Sequence, residues 1–430
     1  MQRRVFIRTT ATTVMAAALW NGRVWGQSPS ETIQLGVIGC GRQARNNILN
    51  FIAREGVNGT RFMAVCDVDR KRARKIAELI EQRYREAGLR HRVRIHDSAE
   101  ALVSDPGIDA VQIATPDHTH AALAMAAVAA GKDVYLEKPL TYTIAEGQAL
   151  VRAVRAQGRV LQTGSQQRSS GYFHTICQLA AAGRLGQIEA VEVRIPTDQG
   201  EALFEPMAVP EELDYAAWLG TAQKVPYTEK RVHPQADYSR PGWMQIEDYG
   251  HGMITNWGAH MLDVVQWGLR MDASGPVEVQ AEADYPERGI WNVHTRITGT
   301  SRYANGVELR LVAIPQGSPE QPGVRFIGTE GWAKADRGQF EASDRELLRW
   351  RPGDGEVTLK RSSCHYQDFI QAIRSRTDPV APVEVGHRSN TLCLLHAISA
   401  KLGRPVRWDP RGETFVDDPE AQRFLSRMQA

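Results

Sequence analysis

Apolar and polar residues alternate along this chain with two different periods, and the period changes near residue 166. Before that point, short and uniformly apolar runs are separated by longer amphipathic stretches. We predict strands over 34–38, 61–66, 110–114, 134–136 and 159–163, and helices that begin near Gln43, Arg70, His118 and Ile144. Apolar strands without alternation are covered on both faces, and strands that alternate with helices form a parallel, doubly wound sheet. The pattern therefore predicts an α/β fold of this type over residues 32–165.

After residue 166 the apolar positions recur with a period of two, as in strands that bury one face. The predicted strands are 187–196, 276–285, 291–300, 306–313 and 323–328, and the predicted helices are 257–268, 364–376 and 387–402. Turn residues such as Asn305-Gly306 separate the strands, which favours antiparallel pairing. We expect a second, α+β domain over 166–430 with a large, mainly antiparallel sheet.

The stretch 196–249 has no regular period and is rich in proline, tryptophan and tyrosine. A loop of this length in a compact protein is usually functional, often as a lid. Its aromatic residues suit stacking on the apolar face of a sugar ring, and they equally suit packing against one another as a cover. The sequence leaves both interpretations open.

Residues 1–26 are predicted to be an export signal rather than part of the fold. Arg3 and Arg4 precede a weakly apolar stretch at 12–20, and the sequence Val24-Trp25-Gly26 allows cleavage before Gln27. Paired arginines before a weakly apolar segment are typical of the twin-arginine (Tat) route, which exports folded proteins. The alternative is an ordinary basic N-terminus. We expect a periplasmic protein.

Composition excludes several classes of function. The chain has 430 residues, with 52 basic against 50 acidic side chains and a formal net charge of +2, which argues against a nucleic-acid partner. After the signal, no stretch approaches 18 uncharged apolar residues, so no membrane span is expected. The five cysteines are odd in number and lack metal-ligand spacing. They are predicted to be buried thiols rather than a disulfide framework.

A glycine-rich turn follows the first predicted strand. Gly39 and Gly41, with Ala44 three residues later, fit a tight turn at a helix N-terminus, where backbone N–H groups attract a pyrophosphate. Asp67 ends the next strand, where a carboxylate accepts the ribose hydroxyls of NAD and repels the 2′-phosphate of NADP. Arg42 and Arg70 are able to bind such a phosphate, which leaves NADP as the less favoured alternative. The alternative is that Asp67 only caps the following helix.

Polar residues also end the third predicted strand, at the sheet edge where ligands bind in such folds. Thr115 and Pro116 form this turn, and Asp117 or Thr119 is predicted to cap the next helix. His118 and His120 are predicted to line the cofactor groove. The two histidines lack a third and a fourth ligand at fitting spacing, so no metal site is predicted.

Two further segments carry residues for proton transfer. Lys138 lies between Glu137 and Pro139 at a strand end, where partial burial lowers a lysine pKa and allows proton exchange with a hydroxyl. Asn256, His260 and Asp263 are spaced along one predicted helix face, where Asp263 or a backbone carbonyl is expected to fix the His260 tautomer. The alternatives are a surface lysine and a histidine used only in packing.

The order of these motifs resembles the glucose–fructose oxidoreductase, inositol dehydrogenase and rhizopine-catabolism (Gfo/Idh/MocA) family, and the resemblance spans essentially the whole chain after the signal. The segment from 387 to 410 is similar to that of exported members. The resemblance implies that Lys138 and His260 are catalytic and that Gln167 and Arg168 lie near the nicotinamide. Asn256 stands where the family usually has a carboxylate, and an asparagine is expected to orient His260 without stabilising an imidazolium.

The resemblance implies an NAD(P)-dependent oxidoreductase that transfers hydride between nicotinamide and a hydroxyl carbon of a sugar, cyclitol or glycoside. Two alternatives are an enzyme that uses tightly bound NAD transiently, for glycoside cleavage or sugar–sugar oxidoreduction, and a non-catalytic sugar-binding protein. The 166–430 domain is then expected to bind substrate and to form a homodimer or homotetramer through its sheet. The predicted catalytic set is Lys138, His260, Asn256 and Asp263, and the predicted cofactor set is Gly39, Gly41, Arg42, Gln43, Asp67, Thr115, Pro116, His118, His120, Glu137, Lys138, Gln167 and Arg168.

Overall fold

The computed structural model describes residues 32–426, without the side chains of 55–58. The predicted export signal over 1–26 lies outside the described residues. No helix within 32–426 is long and apolar enough to cross a membrane.

The first sheet is parallel and doubly wound, as the sequence predicts. Its strands lie in the order β3-β2-β1-β4-β5-β6. They are β1 (Ile33–Ile38), β2 (Thr60–Cys66), β3 (Arg94–Ile95), β4 (Ala110–Ile113), β5 (Asp133–Leu136) and β6 (Leu161–Thr163), and the helices between them are α1 (Arg42–Gly59), α2 (Arg70–Glu86), α3 (Ala99–Ser104), α4 (His120–Ala129) and α5 (Ile144–Ala156). The sequence analysis missed β3 and α3. With two exposed residues, β3 carries no apolar pattern.

Polar residues fix where these helices begin. Asp69 accepts a hydrogen bond from the backbone N–H of Arg72 and so caps α2. Thr143 and Glu146 form a reciprocal capping box at the start of α5. Each cap satisfies backbone donors that would otherwise have no partner within the helix. Because all strand pairs of this sheet are parallel, the carboxyl ends of its strands open onto the same edge.

The second sheet is mainly antiparallel, as predicted, and lies in the order β13-β12-β11-β7-β10-β9-β8-β14-β15. Only the β7–β10 pair is parallel among its described strands. The strands are β7 (Ile188–Pro196), β8 (Pro276–Asp284), β9 (Arg296–Tyr303), β10 (Glu308–Ile314), β11 (Gly323–Gly328), β12 (Gly331–Asp336), β13 (Phe340–Ala342), β14 (Val406–Asp409) and β15 (Thr414–Phe415). β12 to β15 were not predicted from the sequence, and β13 to β15 have only two to four residues each. The predicted position of β9 began about five residues too early.

The helices of the second half are α6 (Gly171–Ala181), α7 (Tyr215–Leu219), α8 (Met253–Asn256), α9 (Gly258–Gly268), α10 (Arg345–Arg349), α11 (His365–Ser375), α12 (Val383–Leu402) and α13 (Pro419–Gln422). The predicted helix over 257–268 is confirmed as α9, and the short helix α8 precedes it with Trp257 between the two. Residues of α6, α9 and the second sheet share one hydrophobic core. In contrast, Phe369 and Ile370 of α11 belong to the core of the first sheet.

The segment over 197–252 has a small core of its own, which contains the buried rings of Trp218, Tyr227 and Tyr249. Backbone hydrogen bonds tie it to the first sheet, from Arg70 N to Glu212 O (2.9 Å) and from Asp214 N to Val68 O (2.8 Å). Mutual packing of the aromatic residues therefore accounts for most of this segment. We call residues 197–252 the covering segment, because they cover one end of the first domain.

Candidate active site

A cavity of about 1170 Å³ runs along the carboxyl edge of the first sheet and reaches α8 and α9. Residues that follow β1, β2, β4, β5 and β6 line it, together with Trp218 and Trp243 of the covering segment. Strand-end residues of the first half therefore face side chains of the second half across one space. Parallel folds of this type bind ligands at this edge.

The glycine turn leaves room for a diphosphate. Gly39 has φ +85°, and an added Cβ there would lie 2.6 Å from the carbonyl oxygen of Ala114, so glycine is required. A Cβ at Gly41 would meet no atom within 4 Å. Gly41 precedes α1 without a side-chain cap, so the first N–H groups of this helix face the cavity edge unpaired by a capping side chain. Arg42 and Gln43, on the exposed first turn, line the same space.

Asp67 lies at the end of β2 and lines the cavity. Its carboxylate accepts hydrogen bonds from the backbone N–H groups of Cys40 (2.5 Å) and Asp69 (2.8 Å). Burial raises the pKa of Asp67, although these two N–H donors oppose the rise. Because Asp69 caps α2, the interpretation of Asp67 as that cap is wrong. The position of Asp67 fits a carboxylate that binds the ribose of a dinucleotide.

Glu137 is buried behind the glycine turn. Its Oε1 accepts hydrogen bonds from Asn47 (2.9 Å), Gln166 (3.0 Å) and Gln43 (3.2 Å). Burial raises the pKa of Glu137, and the charge of Lys138 opposes the rise. Its buried Oε2 has no hydrogen-bond partner among the described residues. The open space at Gly41, the Asp67 carboxylate and this spare acceptor together fit a nicotinamide dinucleotide.

The two histidines after β4 have different roles. His118 lines the cavity beside Thr115 and Pro116, as predicted, and its Nε2 lies 3.3 Å from the carbonyl oxygen of Trp218. His120 does not line the cavity, so that prediction is wrong. Its ring nitrogens lie 2.8 Å and 3.0 Å from the carbonyl oxygens of Pro139 and Thr115. His120 thus links the loop that follows β4 to the loop that follows β5.

Lys138 and Asn256 come together from the two halves of the chain. The Nζ of Lys138 donates a hydrogen bond of 2.9 Å to Oδ1 of Asn256. The expectation that Asn256 orients His260 is therefore wrong, because its Oδ1 binds Lys138 and no hydrogen bond joins it to His260 among the described residues. Burial lowers the pKa of Lys138 below its ordinary value. A lysine with a lowered pKa is suited to accept a proton.

His260 lines the cavity and is held by Gln167. With the Gln167 amide oriented to satisfy both of its neighbours, it donates to Nδ1 of His260 (2.8 Å) and accepts from the guanidinium of Arg337 (2.9 Å). Burial, followed by the charges of Lys138 and Arg337, holds the pKa of His260 well below its ordinary value. The imidazole is therefore neutral near pH 7, and because Nδ1 accepts, its proton is on Nε2.

Asp263 does not touch His260, so its predicted role in fixing the histidine is wrong. Both of its oxygens accept from Nε of Arg168, at 3.0 and 2.9 Å, and Ser389 donates to Oδ1 at 2.7 Å. The guanidinium of Arg168 also binds Asp272 at 2.6 Å. Arg168 and Gln167 do not line the cavity, contrary to the prediction that they contact the cofactor. Arg168 and Asp263 are buried together because their opposite charges compensate each other in the interior.

Sequence reasoning missed two residues of this site. Arg337, in the turn between β12 and β13, lies 4.3 Å from the ring centre of Trp257 and lines the cavity. No motif surrounds it, so only the fold brings it to the site. Asp117 was interpreted as a helix cap, yet its carboxylate lines the cavity. Its position in a strand-end turn was the available signal.

The fold and the cavity define a protein of the dinucleotide-binding class, in which Lys138 of the first half contacts Asn256 of the second. Residues 33–165 match the oxidoreductase family's NAD-binding Rossmann fold, and residues 196–430 match the family's C-terminal alpha/beta domain. The chain belongs to the Gfo/Idh/MocA oxidoreductase family.

Individual relatives agree with this assignment. The chain is 34% identical to inositol 2-dehydrogenase 1 of Saccharopolyspora erythraea over 47% of its own length and 58% of the relative's. It is 28% identical to inositol 2-dehydrogenase 2 of the same organism, over 66% of this chain and 79% of the relative. The first alignment thus spans little more than half of that relative.

Solved structures show the same fold. The WlbA dehydrogenase of Chromobacterium violaceum, in complex with NADH and UDP-GlcNAcA, superposes with a TM-score of 0.65 at 18% identity, over 89% of this chain and 97% of that one. The aldose–aldose oxidoreductase of Caulobacter crescentus superposes with a TM-score of 0.62 at 18% identity, over 87% and 99%.

Proposed function

We propose that this protein is an NAD(P)-dependent oxidoreductase that transfers hydride between nicotinamide and a hydroxyl carbon of a sugar, cyclitol or glycoside. The observation that carries the proposal is the meeting of Lys138 and His260 in the cavity that begins at the Gly39–Gly41 turn. The inositol dehydrogenases among its relatives support the substrate class.

The residues divide the proton chemistry between them. When bound, the nicotinamide supplies the hydride acceptor. Lys138, whose pKa is lowered by burial, takes the proton of the substrate hydroxyl while Asn256 directs its Nζ. His260, with its proton on Nε2, donates a hydrogen bond to the substrate oxygen. This assigns the base to the lysine and the orienting donor to the histidine.

We propose NAD rather than NADP as the preferred cofactor. Asp67 places a carboxylate at the end of β2, where it accepts ribose hydroxyls and repels a 2′-phosphate. Arg70 is one of the two arginines that are able to bind that phosphate, but it pairs with Asp97 at 3.1 Å.

A second candidate function is catalysis with tightly bound, recycled NAD, as in redox-assisted glycoside cleavage or sugar–sugar oxidoreduction. The covering segment favours it, because Glu212, His233 and Arg240 line the cavity together with Asp67. The segment is also pinned beside this end of the cavity, since His233 Nε2 lies 2.8 Å from the Asp69 carboxylate. Nucleotide that remains with the protein through purification, with turnover that needs no added NAD, would support this function.

The main test is Lys138→Ala, with Lys334→Ala as a control because Lys334 is a lysine of β12 paired with Glu341 outside the cavity. We expect Lys138→Ala to abolish nicotinamide reduction across a panel of pyranosides and cyclitols while nucleotide binding changes little. His260→Ala should lower kcat by about 10²–10⁴-fold. Turnover by Lys138→Ala at the rate of the control would contradict the proposed function. A panel without any turnover by the unmodified protein would favour a sugar-binding protein instead.

Export by the Tat route is also proposed, on the strength of Arg3 and Arg4. Replacement of both by lysine should hold the precursor in the cytoplasm, and normal periplasmic processing of that variant would exclude Tat dependence. The homodimer or homotetramer stays a prediction, which light scattering of the purified protein measures.

A further inference from the structure

Arg337 is a cation of the cavity that the proposed hydride transfer does not use. It lies in the turn between β12 and β13 and lines the cavity together with Trp257 and His260. Its guanidinium carbon lies 4.3 Å from the centre of the Trp257 ring, a distance at which a cation and an aromatic face attract each other. The ring therefore helps to fix the guanidinium before any ligand binds.

Gln167 holds one edge of this guanidinium. In the amide orientation that satisfies both neighbours, its oxygen accepts from Nε (3.2 Å) and Nη2 (2.9 Å) of Arg337, while its nitrogen donates to Nδ1 of His260 (2.8 Å). A guanidinium has five N–H donors, so both donors of Nη1 and one of Nη2 are left without an acceptor among the described residues. This Nη1–Nη2 edge is suited to bind an acidic group through two parallel hydrogen bonds.

No carboxylate compensates the charge of Arg337 within the described part of the chain. Partial burial lowers the pKa of Arg337, and no charged neighbour shifts it. By contrast, Arg70 and Arg240 also line the cavity but pair with Asp97 at 3.1 Å and with Asp198 at 2.7 Å. A fixed arginine without an anion needs one from a ligand.

The position of Arg337 indicates which ligand supplies this anion. Arg42 likewise lines the cavity, but it begins α1 next to Gly41, so the cofactor diphosphate accounts for it. Arg337 is instead joined to His260 by one amide group, and His260 is the residue proposed to bind the reacting hydroxyl. Burial is the largest cause of the lowered pKa of His260, and the charges of Lys138 and Arg337 add to it. The potential at the reacting hydroxyl is therefore positive, which favours an anionic substrate.

We propose that Arg337 is a specificity-determining residue that binds a carboxylate of the substrate, so that the substrate is a sugar acid such as a uronic acid. This rests on the proposed function and leaves its chemistry unchanged. The free Nη1–Nη2 edge binds both carboxylate oxygens, while Nε2 of His260 donates to the hydroxyl oxygen of the same molecule. Because Gln167 joins the two binding groups, the carboxylate determines which carbon faces the nicotinamide.

The first experiment measures binding by calorimetric titration of protein loaded with NADH, so that no oxidation takes place. The probes are two matched pairs, D-glucuronate with D-glucose and D-galacturonate with D-galactose, and also glucose-6-phosphate. At least one uronate should bind about 10- to 100-fold more tightly than its neutral partner, as expected for hydrogen bonds to a charged group. Arg337→Gln should remove this preference.

Arg325→Gln is the matched control. Arg325 also stacks on a tryptophan of the second sheet, at 4.4 Å from the centre of the Trp332 ring, but it does not line the cavity, so this variant should keep the preference. Arg337→Lys should recover only part of it, because an ammonium group lacks the fork that binds Gln167 and a carboxylate together.

The second experiment measures turnover of the same sugars with NAD. Arg337→Gln should raise KM for the preferred uronate by about 10- to 100-fold with a smaller change in kcat, and it should affect the neutral sugars far less. An equal loss for uronates and neutral sugars would mean that Arg337 only positions Gln167 and His260, and it would overturn the proposal.

Three further results would overturn the proposal. They are neutral sugars that bind as tightly as the uronates, a sugar phosphate that binds more tightly than either uronate through Arg337, and weaker NADH binding by Arg337→Gln with an unchanged uronate preference. If one of these occurs while Lys138→Ala is inactive on neutral sugars, only this inference fails. If uronates bind through Arg337 but Lys138→Ala oxidises them at the rate of the unmodified protein, the proposed function fails and the carboxylate site remains.

Discussion

The buried ion pair between Arg168 and Asp263 allows a catalytic role to be separated from a structural one. Both side chains are almost fully buried, with side-chain exposures of 2% and 0%. In Asp263→Ala, Arg168 keeps only Asp272, whose side chain is 36% exposed, and Ser389 loses its acceptor. Removal of one partner from a buried ion pair costs about 3–5 kcal/mol when the remaining charge is left without compensation. Because Asp272 still offsets part of the Arg168 charge, we expect Asp263→Ala to lower the free energy of unfolding by about 3 kcal/mol, the lower end of that range.

The assay is urea denaturation followed by circular dichroism, with Asp284→Ala as the matched control. Asp284 pairs with Arg296 at 2.6 Å, but both side chains are largely exposed, so its loss should leave the denaturation midpoint almost unchanged. Replacement of the buried pair as a whole, in Arg168→Met/Asp263→Leu, should cost less than Asp263→Ala alone. The structural assignment is refuted if Asp263→Ala denatures like the control yet has lost turnover.

Asp67→Ala should narrow the preference for NAD(H) over NADP(H), because a charge-assisted hydrogen bond contributes about 1.5–3 kcal/mol; titration with both nucleotides measures this, and tighter NADP(H) binding by the unmodified protein would contradict it. Gly41→Ala should melt normally but bind nucleotide weakly, since its Cβ enters open space, whereas Gly39→Ala should lower the melting temperature because its Cβ meets the Ala114 carbonyl at 2.6 Å. Equal melting temperatures for the two variants would refute this contrast. Acid should also destabilise the protein through Asp69. Burial alone would raise the pKa of Asp69, but hydrogen bonds from His233 and Gln235 hold this pKa at about 2. The stability that the Asp69 carboxylate contributes is therefore complete above its ordinary pKa of 3.8 and is lost as the pH falls to about 2. Asp69→Asn should show a flatter loss of stability over that window in acid titrations, and a loss as steep as that of the unmodified protein would exclude Asp69 as the cause.

The sequence determined the first sheet and the candidate residues at its edge. Uniformly apolar runs, helix caps and a glycine turn are local features, so each is legible within a few neighbouring residues. Because parallel strands end at one edge, the sequence also brought Asp67, Thr115 and Lys138 to the same groove without any knowledge of side-chain contacts. Period-two alternation likewise predicted the longer strands of the second sheet.

The tertiary structure alone decided which of those residues work together. Lys138 and Asn256 are 118 positions apart and meet because the second half packs against the first sheet. Arg168 and Asp263 are 95 apart and meet within the second half, where the turn over 166–169 lies against α9. Helical spacing suggested that Asn256 and Asp263 both serve His260, but Asn256 binds Lys138 of the first half and Asp263 pairs with the buried Arg168. Spacing along one element fixes which residues share a face, whereas the charges that meet across a packed interior depend on the whole fold.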